Sequence, residues 1–182
     1  MEIKLIIDSD IIVDADDFYE GNEEWELLTS IKKHIPNFKI NLFCVVGLCS
    51  DNFISKYKKI EWIDLIPHGW KHLTSKECIA WSYKTSIEYL CKIERYELTK
   101  GFKAPGWQIS NGMYKALIRK GYWVADQSYN NNRRPKNLKV YMLDEPYKYH
   151  YHIQNVCGNG LEESLKQILS LKGNFKFIKE IL

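Results

Sequence analysis

Residues 61 to 72 read EWIDLIPHGWKH. Trp62, Ile63, Leu65 and Ile66 form a short apolar run of strand type, stopped by Pro67, and His68-Gly-Trp-Lys-His72 follows at once. On one helical turn a spacing of four puts two imidazoles on the same side, where both can bind one Zn²⁺ at ~2.0–2.1 Å. The glutamate of a His-Glu-x-x-His protease is absent between them. Spacing alone leaves two readings open: a ligand pair, or two histidines at a surface or a helix N-cap. A ligand pair needs a third donor from elsewhere in the chain.

The 182 residues suit one domain with a proper core, residues 1–182, and are too few for two comfortable ones. Aromatic residues make up 14% of the chain, more than packing alone usually demands, which leaves room for a ligand face. The net charge of +3 is mild and the basic residues are scattered except in NNNRRPK at 130 to 136, so no nucleic-acid-binding stripe emerges. The N-terminal segment MEIKLIIDSDIIVDADD is rich in acids, the wrong polarity for a signal peptide, and no apolar run approaches a membrane span. The expectation is a soluble cytoplasmic protein that engages neither nucleic acid nor membrane. Five cysteines without a Cys-x-x-Cys pair argue against a disulfide framework or a thiolate zinc site, and read mostly as core fillers.

Short β-rich runs alternate with helical patterns, the signature of an α/β domain. Strands are expected at 3–7, 39–46, 61–66, 101–104, 122–125, 138–143 and 147–153. A first helix is expected after Asn22 as N-cap, stopping before Pro36. The longest helix is expected from Thr74, with Glu77 completing a capping box, to about residue 99. Ser110 and Gly121 bracket the next, and a last one covers 161–172 and closes at Gly173.

On this map the polar clusters fall at strand ends. DADD follows the first apolar stretch, HGWKH follows EWIDLI, KAPGW follows GF, DQSY follows YWVA, and His150 and His152 close YKYHYHI. In folds built from parallel strands the loops converge on the carboxyl rim, so five such clusters point to one site. Asp14, Asp16 and Asp17 offer the hard carboxylate that would complete a three-ligand catalytic metal site. At a strand-to-loop bend one of two adjacent aspartates can bind metal while the other stands beside water as a base. The bland alternative is an acidic, solvated turn.

These residues carry a resemblance. The chain resembles a short member of the polysaccharide deacetylase superfamily, carbohydrate esterase family 4, whose motifs run in the order Asp-Asp, His-x-x-x-His, Arg-x-Pro, an aspartate motif and a terminal histidine motif. Here that order appears as Asp16-Asp17, His68 to His72, KAPGW at 103–107, ADQSY at 125–129 and YHYH at 149–152, covering residue 3 to about 172. The resemblance implies a distorted (β/α) barrel with about seven strands. It also implies a divalent metal on Asp17, His68 and His72, zinc first, with cobalt, nickel or manganese as alternatives. Asp16 would be the base and His152 or His150 the acid, His152 lying nearer the strand end.

The implied reaction is removal of an acyl group, in the first instance N-acetyl, from a carbohydrate or related amide, so the expected partner is a glycan or a small molecule. Pro105, Gly106 and Asp126 would border the groove, and Trp70, Trp107 and Tyr129 could stack on a sugar or fill the core. The family's arginine is replaced by Lys103, a point charge that can pair with Asp16 but cannot make a bidentate fork. That replacement supports an alternative, a catalytically silent carbohydrate-binding domain on the same fold. Oligomeric state is not legible in the sequence.

Overall fold

The computed structural model describes residues 9–72, 74, 76–128, 134–156 and 158–182. The chain alternates strand and helix: β1 (Asp10–Phe18), α1 (Trp25–His34), β2 (Ile40–Cys44), α2 (Asp51–Lys58), β3 (Ile63–Pro67), α3 (Tyr83–Glu94), β4 (Gly101–Lys103), α4 (Asn111–Lys120), β5 (Trp123–Asp126), β6 (Val140–Met142), β7 (Lys148–His152), α5 (Leu165–Ser170), β8 (Asn174–Phe175) and α6 (Ile178–Ile181). All pairings between these strands are parallel. Hydrogen bonds join β7–β1–β2–β3 into one arc, to which β8 adds at β1, and β4–β5–β6 into a second. This is the strand order of a distorted (β/α) barrel whose ladder, among the described residues, is interrupted between β3 and β4 and between β6 and β7.

Burial on both faces explains the composition of the strands. All five residues of β2 and of β3 are buried, as parallel strands covered by helices require. Outside the barrel, Leu28 and Ile31 of α1 and Leu90 and Ile93 of α3 pack into the main core. Inside, the layer at the carboxyl ends is polar: Asp14, Asp16, His68, Lys103 and Asp126 are all buried.

Several expected boundaries move. The strand expected at 3–7 lies outside the described residues; β1 instead runs through the aspartates themselves, because Ile11, Val13, Ala15 and Phe18 supply a core face that continues past them. Asn22 does not cap α1, whose N-cap is Glu24. The capping box at Thr74 does not start the long helix: Glu77 sits in a short 3₁₀ turn, and α3 begins after Ser82, whose hydroxyl accepts from the Thr85 amide. The last helix is shorter than expected and ends before Gly173, which lets the chain pass close to Ser9 and Ile11. Ser110 and Gly121 bracket α4 as expected, Gly121 at a φ of 73° where a side chain would be strained. Cys44 and Cys78 are core fillers, whereas Cys91 is exposed. No helix is long and apolar enough to cross a membrane among the described residues.

Candidate metal and acid–base site

The two aspartates meet at one place because β1 is irregular there. Along a regular strand Asp16 and Asp17 would point to opposite faces. The register of β1 against β2 shifts between Ala15 and Phe18, and Asp17 takes a left-handed φ of 63°. Such a bulge re-aims a side chain. Asn22 braces it, its side-chain amide donating to the Asp17 carbonyl at 2.6 Å. The cap expected of Asn22 is thus a strut for a site residue.

The loop after β3 carries His68 and His72. Gly69 has a φ of 66° and His72 of 50°, so the histidines face each other across a turn, ring centroids 4.9 Å apart. Glu77 ties this turn down, its carboxylate accepting from the amides of Trp70 (3.1 Å), Lys71 (3.1 Å) and His72 (2.8 Å). Gly69 is required at its place, since a Cβ there would lie 2.8 Å from both Glu77 Oε2 and Pro105 Cγ.

Asp17, His68 and His72 bring one carboxylate oxygen and two ring nitrogens within 4.8 Å of one another. His68 Nε2 lies 3.9 Å and His72 Nε2 3.6 Å from Asp17 Oδ1. Ligands around one tetrahedral ion at ~2.1 Å would be about 3.4 Å apart, so little closure is needed. His68 Nδ1 lies 3.0 Å from the Lys103 carbonyl, which can only accept, so Nδ1 carries the proton. Burial, followed by the neighbouring His72, pushes the His68 pKa down to about 3 against the pull of Asp17. Nε2 is therefore a bare lone pair, buried and without a hydrogen-bond partner, 3.9 Å from carboxylate oxygens of both Asp16 and Asp17. Lone pair facing carboxylates is repulsive unless a cation stands between them, so this donor set fits a divalent metal.

Asp17 has opposing influences: burial pushes its carboxyl up, but the His152 hydrogen bond and the charges of His68 and His72 hold it below the ordinary value. His152 Nδ1 donates to Asp17 Oδ2 at 3.2 Å. Asp16 is held by Lys103, whose ammonium makes an ion pair with Oδ2 inside the barrel, while Oδ1 is buried without a partner. Burial draws the Lys103 pKa well down, against the opposing charge of Asp14. The ammonium also lies 3.3 Å from His150 Nε2 and 3.9 Å from the centre of the Trp107 ring.

His150 is gripped from its other side. Its Nδ1 is hydrogen-bonded to Asp14 Oδ1, and burial, followed by Lys103, pushes its pKa down. Asn22 and Glu77 are thus site residues that motif reading leaves out, and Asp14, offered by the sequence as a metal carboxylate, instead grips His150. For Asp14 the period of two along β1, which sets it on the face of Asp16, is the signal; Glu77 offers none, because it acts through the backbone.

The residues expected to border a groove are distributed unevenly. Trp107, at a φ of 61° after Gly106, stands beside His150 with centroids 5.4 Å apart. Pro105 packs against Gly69. Trp70 lies edge-on to Tyr89 and takes the Lys92 ammonium on its face at 3.8 Å. Asp126 ends β5, buried, with Arg134 at 3.4 Å. Tyr129 lies outside the described residues.

No family model and no curated protein matches the sequence. Solved structures do match in fold. A family 4 acetyl xylan esterase from Clostridium thermocellum, solved with a cobalt ion, superposes with a TM-score of 0.63 at 12% identity, over 95% of this chain and 90% of its own. A peptidoglycan N-acetylglucosamine deacetylase gives a TM-score of 0.63 at 15% identity, over 97% and 89%. A family 4 pseudoenzyme from Bacillus anthracis gives 0.61 at 12% identity, over 96% of this chain and 66% of its own.

Proposed function

We propose that this chain, which has the fold of the family 4 carbohydrate esterases, is a metal-dependent hydrolase that removes an acyl group, in the first instance N-acetyl, from a carbohydrate or related amide. The observation that carries this reading is the buried lone pair of His68 Nε2 aimed at Asp16 and Asp17, with His72 completing a three-donor set. A divalent cation on Asp17, His68 and His72, zinc first and cobalt, nickel or manganese as alternatives, supplies the Lewis acidity that lowers the pKa of water and polarises a carbonyl.

Asp16 is the base in this reading. It stands beside the three donors without being one of them, and its Oδ1 has no competing partner. Lys103 holds that carboxylate in place, a task its compact amine head performs from one side only. Proton delivery to the leaving amine falls to an imidazole on β7, and His150 and His152 both face the interior beside Asp16 and Asp17. Trp107 presents an aromatic wall next to His150, suited to the apolar face of a sugar ring.

The test is metal uptake followed by acetate release. Chelator-stripped protein titrated with Zn²⁺ is expected to take up about one ion per chain, with His68→Ala and Asp17→Ala losing it. Loaded protein is expected to release acetate from N-acetylated chito-oligosaccharides or acetylated xylan, and Asp16→Asn to stop release while keeping the ion. A chain that takes up no ion and releases no acetate would sink the reading. A second reading, a silent carbohydrate-binding domain, is favoured by Lys103 and by a pseudoenzyme among the matching folds; glycan binding without acetate release would choose it.

A further inference from the structure

Asp17, His68 and His72 have a counterpart next door. Asp16, His150 and His152 also bring one carboxylate and two imidazoles with donor atoms within 4.8 Å of one another. Asp16 is only 3% exposed, and its Oδ1 is a buried oxygen without a hydrogen-bond partner. One carboxylate and two imidazoles form a donor set that can hold a divalent ion.

Lys103 already stands in that second set. It comes from β4, across the barrel from β1 and β7, and its ammonium touches two of the three donor groups: it is ion-paired with Asp16 and 3.3 Å from His150 Nε2. Its side chain is 2% exposed and walled in by Phe43, 5.4 Å from the ammonium, and Trp107.

We propose that Lys103 is the resident cation of the Asp16–His150–His152 set, and that the centre takes one divalent ion rather than two because of it. This rests on the reading of Asp17, His68 and His72 as the metal donors. The Lys103 Nζ already fills the space between Asp16 Oδ2 and His150 Nε2 that an ion on this set would occupy. A second divalent ion would have to displace that amine, because the two cannot share one buried space. A lysine suits this role where an arginine would not: its charge sits at one compact atom that fits a space the size of an ion. The consequence is chemical. Asp16 stays bound to a cation that cannot ligate it, and so remains a base instead of becoming a second metal's ligand.

Metal stoichiometry of the intact chain decides it, measured by elemental analysis after dialysis against Zn²⁺ and, separately, by the visible spectrum with Co²⁺. The wild-type chain is expected to hold one ion and Lys103→Ala two, with Lys103→Ala/His150→Ala back to one. Lys103→Gln keeps the length of the side chain, covers the case in which the alanine variant does not fold, and is expected to hold two. Folded lysine variants that still take a single ion would overturn the proposal, as would a wild-type chain that takes two. A wild-type chain that takes none overturns both this proposal and the metal reading beneath it.

Discussion

Asp14 on β1 and His150 on β7 are partners in the parallel ladder and are also joined side chain to side chain inside the barrel. A carboxylate accepts only, so Nδ1 of His150 carries the proton and Nε2 turns towards Lys103 and Asp16. The buried carboxylate therefore chooses the tautomer of an imidazole beside Asp16, the proposed base.

From this follows a prediction for Asp14→Asn. The amide can donate as well as accept, so the tautomer is no longer imposed. Under the hydrolase reading kcat is expected to fall by roughly 10–100-fold with KM little changed. The ¹⁵N shifts of His150 should show loss of the Nδ1–H tautomer, a change that a general loss of packing would not produce selectively. An unaltered His150 spectrum would refute the orienting role of Asp14.

Glu77 gives a second prediction, because it reaches the proposed metal donors only through the backbone amides of Trp70, Lys71 and His72. Glu77→Ala frees the turn that holds His72 in its left-handed conformation. Zinc affinity is expected to drop by about 10–100-fold in calorimetric titration, with the stoichiometry unchanged. Glu77→Gln, which keeps one acceptor oxygen, should lose less. Equal affinity in all three proteins would show that the turn holds itself.

The third concerns pH. His68 has a folded-state pKa of about 3, depressed by burial from an ordinary value of 6.5, so the unfolded chain binds this proton more readily than the folded one. Its contribution to the stability of metal-free protein is fully present above pH 6.5 and is lost as the pH falls towards 3. Urea midpoints measured from pH 7 down to about 4.5 should decline, and the decline should be shallower in His68→Gln. Asp17, held below its ordinary value of 3.8, contributes at more acid pH and does not confuse that window.

Much of the site was legible in the chain itself. The four-residue spacing of His68 and His72, the adjacent Asp16 and Asp17, and the order of polar clusters behind apolar runs are local facts, and they were enough for a barrel with these polar residues gathered at the carboxyl rim. Helix ends that depend on one residue's own conformation, Ser110 and Gly121, were equally readable. Where two local signals competed, the tertiary structure chose. Thr74 and Glu77 spell a capping box, yet Glu77 is worth more holding three amides of the histidine turn, and the helix waits for Ser82.

What the sequence by itself determined is therefore the set of candidate donors and the alternation that carries them. Only the tertiary structure decided who faces whom. The bulge that turns Asp17 onto the face of Asp16, the register that brings Asp14 to His150 across 136 residues, and the placement of Lys103 between Asp16 and Trp107 all come from strands distant in the chain. The physical reason is that a side chain's direction follows its own backbone, whereas its partner is fixed by the register and tilt of neighbouring strands, which are set by packing the whole barrel.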